Sequence, residues 1–264
     1  MLKPRIALIC HRDDVFDRDL VSRWLASFAE LAAIVEIEER RAVMWRRLRA
    51  ERRRVGSARL LDVLAFRVYY QIAFAAKDAA WERAAIARAA QTWHAPHPAT
   101  PVLRTHDPND ETVRAFLERV APDLAVARCK SLLRRAIYSA PRLGTFVLHP
   151  GICPQYRNAH GCFWALASDD PGNAGMTLLE IDDNIDTGPV YGHYRYPFDA
   201  RRESHVRIQQ RVFLENADAI RDRLLAISAG RVVPLPAADA PSRNWGQPWL
   251  SAYLRYRRKL RDTA

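Results

Sequence analysis

The sequence predicts an α/β protein, a Rossmann-like and mostly parallel sheet flanked by helices, with a basic helical insertion. Three observations predict it. Short, uninterrupted apolar runs occur at residues 6–9, 124–127 and 145–148, the pattern of strands buried on both faces. Each run stops at polar or turn-forming residues, namely His11-Arg12-Asp13-Asp14, Arg128-Cys129-Lys130 and His149-Pro150-Gly151. The carboxyl ends of strands are where open sheets of this kind hold ligands. Residues 159–167 and 203–229 then carry apolar side chains at near-helical spacing, which supplies helices to cover the sheet.

Residues 1–10 read as the first strand, an apolar stretch too short and too soon broken by charge to be a secretion signal. The formal charge is +11, from 41 Lys and Arg against 30 Asp and Glu, and it is unevenly spread. Residues 40–59 hold nine arginines. Leu60, Leu61, Leu64, Phe66, Val68, Tyr69 and Ile72 follow, interrupted by Asp62, Arg67 and Gln71, and these polar breaks exclude a membrane span. Residues 40–95 are therefore expected to form an Arg-rich helical insertion that caps the sheet or makes a homodimer. Contact with nucleic acid or an anionic membrane surface is disfavoured, since charge runs of this kind are usually solvated helix faces. His94, His97 and His106 lie among prolines without helical metal spacing, and the four cysteines form no Cys-x-x-Cys pair. No metal site is expected. Cysteines without a framework also point to a reducing, cytoplasmic setting.

The strand at 124–127 ends at Arg128, and the strand at 144–148 ends at His149, where Pro150, Gly151 and Pro154 forbid both a continued strand and an immediate helix. A helix over 159–167 is expected to start from Asn158 as N-cap. A strand at 176–181 leads into Asp182, Asp183, Asn184 and then Asp186-Thr187-Gly188, with Gly188 expected to supply the tight turn. After a strand at 190–196 comes one long helix over 203–229, stopped by Gly230. The Pro- and Ala-rich stretch 234–248 is expected to wrap the surface before the basic end, which includes Arg255, Arg257, Arg258 and Lys259. This organisation is one α/β domain over 1–233, including the insertion, and a tail over 234–264.

The stretch HPGICPQYRNAHG, residues 149–161, followed by DTGPV, residues 186–190, places an imidazole, a carboxylate and sharp turns next to a strand end. Histidine is suited to moving protons near neutral pH. With His149-Pro150, Pro154, Tyr156-Arg157, Thr177, Asp186 and Gly188 in this order, the chain resembles the formyltransferase family over about residues 120–200. The family contains phosphoribosylglycinamide formyltransferase and the catalytic domain of methionyl-tRNA formyltransferase. The resemblance implies a formyltransferase fold, 10-formyltetrahydrofolate as formyl donor and a small-molecule amine acceptor, such as an amino-sugar nucleotide or another anionic metabolite. It implies His149 as acid and base with Asp186 orienting it, Arg128, Cys129, Lys130 and Asp183 in the loops that hold the folate, and Tyr156, Arg157 and Asn158 on the acceptor side.

One position departs from the family. Val147 stands where the family carries an asparagine whose amide donates to the developing oxyanion, and valine has no donor. Asn158 and Lys130 are the candidates for a substitute. The departure keeps two other readings open: hydrolysis of formyltetrahydrofolate, and a non-catalytic module that binds through its arginines. No segment after the last helix resembles the barrel domain that tRNA-specific members append, which disfavours a tRNA acceptor.

Overall fold

The computed structural model describes residues 3–262, so Met1 and Leu2 of the expected first strand and the last two residues of the tail lie outside the described residues. Seven strands form one sheet in the order β3-β2-β1-β4-β5-β7-β8. Strand β1 (Arg5–His11) leads through a π-helical turn, Phe16–Val21, into α1 (Ser22–Phe28), and β2 (Glu30–Ile37) returns parallel beside β1. The insertion follows as α2 (Arg41–Val55), α3 (Ser57–Tyr70), a second π-helical turn, Gln71–Ala75, and α4 (Ala76–Thr92). Next come β3 (Val102–Thr105), α5 (Glu111–Val120), β4 (Leu124–Arg128), α6 (Arg135–Tyr138) and β5 (Thr145–His149). These five strands are mutually parallel. After the short β6 (Arg157–Asn158) and α7 (Gly161–Ala167), β7 (Met176–Glu180) and β8 (Val190–Tyr194) add antiparallel at the edge.

The central strands are buried on both sides, as their uninterrupted apolar runs require. Ile6, Leu8 and Cys10 point into one core with Trp24, Phe146 and Phe213, and Ala7 and Ile9 into the other with Val113, Leu117 and Ile137. The alternation is the period of two of a pleated strand. Helix α5 covers the second core, capped by Asp110, whose carboxylate accepts from the Thr112 amide at 3.1 Å. Because the parallel strands share one direction, His11, Arg128 and His149 emerge together at one edge of the sheet.

Three expectations are corrected. The helix expected over 203–229 is two, α8 (His205–Glu215) and α9 (Ala217–Ser228). At Asn216 the side-chain amide donates to the carbonyls of Val212 at 2.8 Å and Arg195 at 3.1 Å, in place of a continued backbone ladder. Asn158 is not the N-cap of the following helix, which starts at Gly161 after His160 in a left-handed conformation at φ 57°. The tail does more than wrap the surface. Its strand β9 (Asn244–Trp245) pairs with β6, and α10 (Leu250–Asp262) places Tyr253 against Phe66 and Phe74 of the insertion, at ring-centroid distances of 5.6 and 6.0 Å. Insertion and tail pack on each other and on α7.

That packing carries an acid-sensitive element. His205, 7% exposed, opens α8 with its ring 5.6 Å from Phe66, 5.7 Å from Tyr70, 5.3 Å from Phe163 and 5.9 Å from His160. Burial, with His160 adding, pushes His205 from 6.5 down to about 3. Burial, then the charges of Lys130 and Arg67, push His160 down to about 4. Unfolded, both histidines take up protons near pH 6.5, so the unfolded chain binds more protons below that pH and stability falls from pH 6.5 toward 4. Asp17 acts oppositely, because burial raises its carboxyl from 3.8 to about 6 despite the Arg128 guanidinium. His205→Phe, which keeps a ring in the aromatic cage, is expected to flatten the decline in Tm between pH 6.5 and 4. Thermal melts across that range check it, and an unchanged slope would show that His205 does not titrate there.

Candidate active site

His149 closes β5 opposite Thr177 of β7 and is 3% exposed. Beyond it the chain folds back tightly. A Cβ at Gly161 would stand 2.5 Å from the Gly151 Cα, and a Cβ at Gly151 only 2.9 Å from His149 Nε2. Glycine at both positions lets the start of α7 and the imidazole close on each other. Thr177, fully buried, donates its hydroxyl to the Gly151 carbonyl at 2.6 Å and accepts from the Cys153 amide at 3.0 Å, which ties the loop to β7.

Asp186 arrives from the β7–β8 loop. Its Oδ2 lies 3.2 Å from His149 Nδ1 and accepts from the Asn158 amide at 2.7 Å. Gly188 does not supply the turn; the left-handed residue is Asp186, at φ 50°, a conformation aspartate tolerates better than most residues. Gly188 is needed for close approach instead, since a Cβ there would stand 2.0 Å from the Glu180 carbonyl oxygen. Asp182 is the turn acid, accepting from the Thr187 hydroxyl at 2.8 Å and the Asn184 amide at 3.0 Å.

The imidazole is held at both nitrogens. Nε2 lies 2.7 Å from the Tyr156 carbonyl oxygen, which can only accept, so Nε2 carries a hydrogen. Nδ1 and Asp186 Oδ2 attract only with a hydrogen between them, on one atom or the other. One hydrogen is thus shared by the pair. Val147 lies two residues before His149 on the same face of β5, partly buried, between Ala127 of β4 and Leu179 of β7. It belongs to neither core.

The other residues singled out by sequence divide into those that support the pair and those at the rim. Asn158 is no substitute donor at the site: its side-chain amide donates to Asn244 Oδ1 at 2.7 Å and to the Trp245 carbonyl at 2.6 Å, which uses both hydrogens. Arg157 donates to the Ile185 carbonyl at 3.0 Å and so fixes the Asp186 loop. Tyr156 offers the site its carbonyl, while its hydroxyl donates to Asp170 at 2.8 Å and its ring stacks on Trp245 at 5.7 Å. Arg128 is spent internally, against Asp17 at 2.8 Å and the Leu148 carbonyl at 2.5 Å, so it steadies the backbone leading into His149 and does not reach outward as a free cation. The Cys129 thiol, pushed up to about 11 by burial, contacts the Ser131 carbonyl at 3.4 Å. Asp183 is exposed and accepts from the Tyr138 hydroxyl at 2.6 Å, joining the β7–β8 loop to α6. Lys130 is exposed, and among the described residues its ammonium pairs with no carboxylate.

Sequence reasoning missed four contributors. His11, 2% exposed at the end of β1, accepts from the Lys130 amide at 2.9 Å, so its hydrogen sits on Nδ1, 3.5 Å from Glu39. Asp17 is the buried partner of Arg128. His160 feels the charges of Lys130 and Arg67. The tail supplies Trp245, stacked 4.7 Å from Trp164, and the Gly246 carbonyl, which accepts from Trp164 Nε1 at 2.8 Å. Only His11 carried a signal, as the polar residue ending an apolar run. Leu132, between β4 and α6, and Ile185, next to Asp186 in the β7–β8 loop, are 57% and 36% exposed. Among the described residues no His, Cys, Asp and Glu cluster could hold a metal ion, and no helix is long and apolar enough to cross a membrane.

Residues 73–224, more than half of the chain, match the formyl transferase family model. The methionyl-tRNA formyltransferase of Roseiflexus sp. is 31% identical over 143 residues, 53% of this chain and 43% of that protein. The methionyl-tRNA formyltransferase of Bacteroides fragilis is 28% identical over 168 residues, 58% of this chain and 52% of that protein. The chain thus spans about half the length of the curated relatives it matches. Among solved structures, phosphoribosylglycinamide formyltransferase from Streptococcus pneumoniae superposes with a TM-score of 0.51 at 14% identity, over 85% of this chain and 98% of that one. A sugar N-formyltransferase from Shewanella sp. gives 0.50 at 12% identity, over 90% of this chain and 75% of that one. These structural likenesses establish the shared fold. The family match and the fold agree: the chain belongs to the formyl transferase family.

Proposed function

We propose that this protein transfers a formyl group from 10-formyltetrahydrofolate to the amine of a small, anionic acceptor. The observation that carries the reading is the buried His149–Asp186 contact at 3.2 Å, at the carboxyl end of a central strand in a chain of this family. The two exposed apolar side chains Leu132 and Ile185, with the Ile185 loop tied to α6 by the Tyr138–Asp183 bond, fit a flat heteroaromatic group. The folate brings an activated formyl group, and those two loops would hold it. His149 and Asp186 then act as one unit. The hydrogen they share leaves toward the departing nitrogen, and the pair regains one from the attacking amine. Asp186 keeps the ring oriented, and the Tyr156 carbonyl fixes the opposite nitrogen.

Lys130, exposed after β4, and Arg67 on α3 are both near enough for their charges to bear on His160, which supports an acceptor bearing phosphate or carboxylate. Lys130 is also the remaining candidate for the donor that Val147 lacks. The test is incubation of the full chain with 10-formyltetrahydrofolate and a panel of amines, including glycinamide ribonucleotide and amino-sugar nucleotides, with mass detection of products. A formylated amine supports the reading. Free formate without an amine product would replace it with hydrolysis, and neither product would overturn both.

A further inference from the structure

The helical run from α3 through the turn Gln71–Ala75 into α4 has two unlike faces. On the inner one Val63 and Phe66 are buried, and all three charged side chains of α3 find partners within the chain. The Arg59 guanidinium lies 4.1 Å over Trp249, Asp62 accepts from the Ser251 amide at 2.9 Å, and Arg67 donates to Gln247 at 3.2 Å. On the outer face Leu61, Ala65, Val68, Ile72 and Ala76 are all exposed, with Leu61, Val68 and Ile72 at 68%, 61% and 82%. Their spacing of four, three, four and four residues keeps them in line, because the wider π-helical turn holds Ala76 on the same side. Soluble proteins seldom leave such a strip uncovered.

The positions along the strip are symmetric about its middle, and the sizes at paired positions are complementary. Leu61 and Ala76 are equally far from the centre, as are Ala65 and Ile72, and Val68 sits beside the centre. Exposed alanines, Ala58 and Ala79, close the two ends at matching distances. Against an antiparallel copy of itself, the strip sets each large side chain opposite a small one, with Val68 beside its own copy. Self-complementarity of this kind is what a two-fold interface requires.

We propose that the outer face of α3 and its continuation is a homodimer interface, two copies packing antiparallel about an axis beside Val68. Charge selects this occupant. A face meant for anionic lipid needs cations rimming its apolar strip, whereas the charged groups of α3 are engaged on the other side and the strip itself is uncharged from Leu61 to Ala76. A second copy covers it without counter-charge. The strip is about 22 Å long from Leu61 to Ala76, or about 30 Å with Ala58 and Ala79, at ~1.5 Å per residue, and one helix wide, at the low end of interface sizes. The dimer is therefore a weak one that forms in the micromolar range.

The test uses the full chain with single cysteines and a short bis-maleimide cross-linker. Val68→Cys is expected to link to itself, and Leu61→Cys alone is not, since its two copies would be about 22 Å apart along the axis. The double variant Leu61→Cys/Ala76→Cys is expected to link. In sedimentation equilibrium Val68→Glu should weaken association at least tenfold, with an unchanged circular dichroism spectrum, as expected for an exposed site. Equal linking by Leu61→Cys would overturn the antiparallel arrangement. A monomer at every concentration would overturn the interface, as would a monomer that co-sediments with phosphatidylglycerol vesicles and is released from them by Ile72→Glu.

Discussion

His149→Ala is expected to lower the single-turnover rate of formyl transfer by ~10²–10⁴-fold. The ring is buried, and its two contacts, to Asp186 and to the Tyr156 carbonyl, hold a hydrogen beside a carboxylate at the end of β5. His11, the other described histidine at that edge, is committed elsewhere: it accepts from the Lys130 amide and faces Glu39 across 3.5 Å. Residues that move one hydrogen as a unit lose their effects non-additively. Asp186→Asn should therefore fall into the same range, since it keeps an oxygen for the Asn158 amide while removing the carboxylate, and His149→Ala/Asp186→Asn should be little slower than either alone. Rapid-quench measurement of product separates this from a folding defect when paired with melts of each variant. Near-normal turnover in His149→Ala would remove the pair from the mechanism.

Val147→Asn is expected to act in the opposite direction, raising the rate by ~10²–10³-fold, the effect of one donor aimed at a developing oxyanion. The structure favours this outcome at the level of packing. Val147 is partly buried, shares the imidazole's face of β5 and joins neither core, so an amide of similar size fits without disturbing buried apolar contacts. Asn158 offers no compensation, since Asn244 and Trp245 take both of its amide hydrogens. Lys130 is the rival. If its ammonium already serves as donor, Val147→Asn brings no gain and Lys130→Met loses activity; the kcat values of these two variants decide between an open donor position and a filled one.

The backbone plan was legible because short apolar runs stopped by turn-forming residues suit strands buried on both faces: residues 6–9, 124–127 and 145–148 lie in β1, β4 and β5, and the fold class follows from them. His149 and Asp186 were legible from motif order, although they are 37 positions apart and the fold alone brings them to 3.2 Å. Side-chain commitments were not legible. Arg128 meets Asp17 across 111 positions, and Asn158 meets Asn244 across 86. A local pattern holds no trace of such partners, so a buried arginine and a strap-bound asparagine both looked free to meet a ligand. The break at Asn216 escaped for a related reason. Its apolar spacing continues through it, and the carbonyl of Arg195 that its amide reaches lies outside the helix.

The most direct test of the central claim is nuclear magnetic resonance of the histidine side chains during titration of the full chain with 5-formyltetrahydrofolate, a stable analogue of the formyl donor. Binding with one site per chain should shift the His149 ring resonances and leave those of the exposed His94 and His97 in place. Absence of binding, or binding that leaves His149 unmoved, would contradict a folate-linked role for the His149–Asp186 pair.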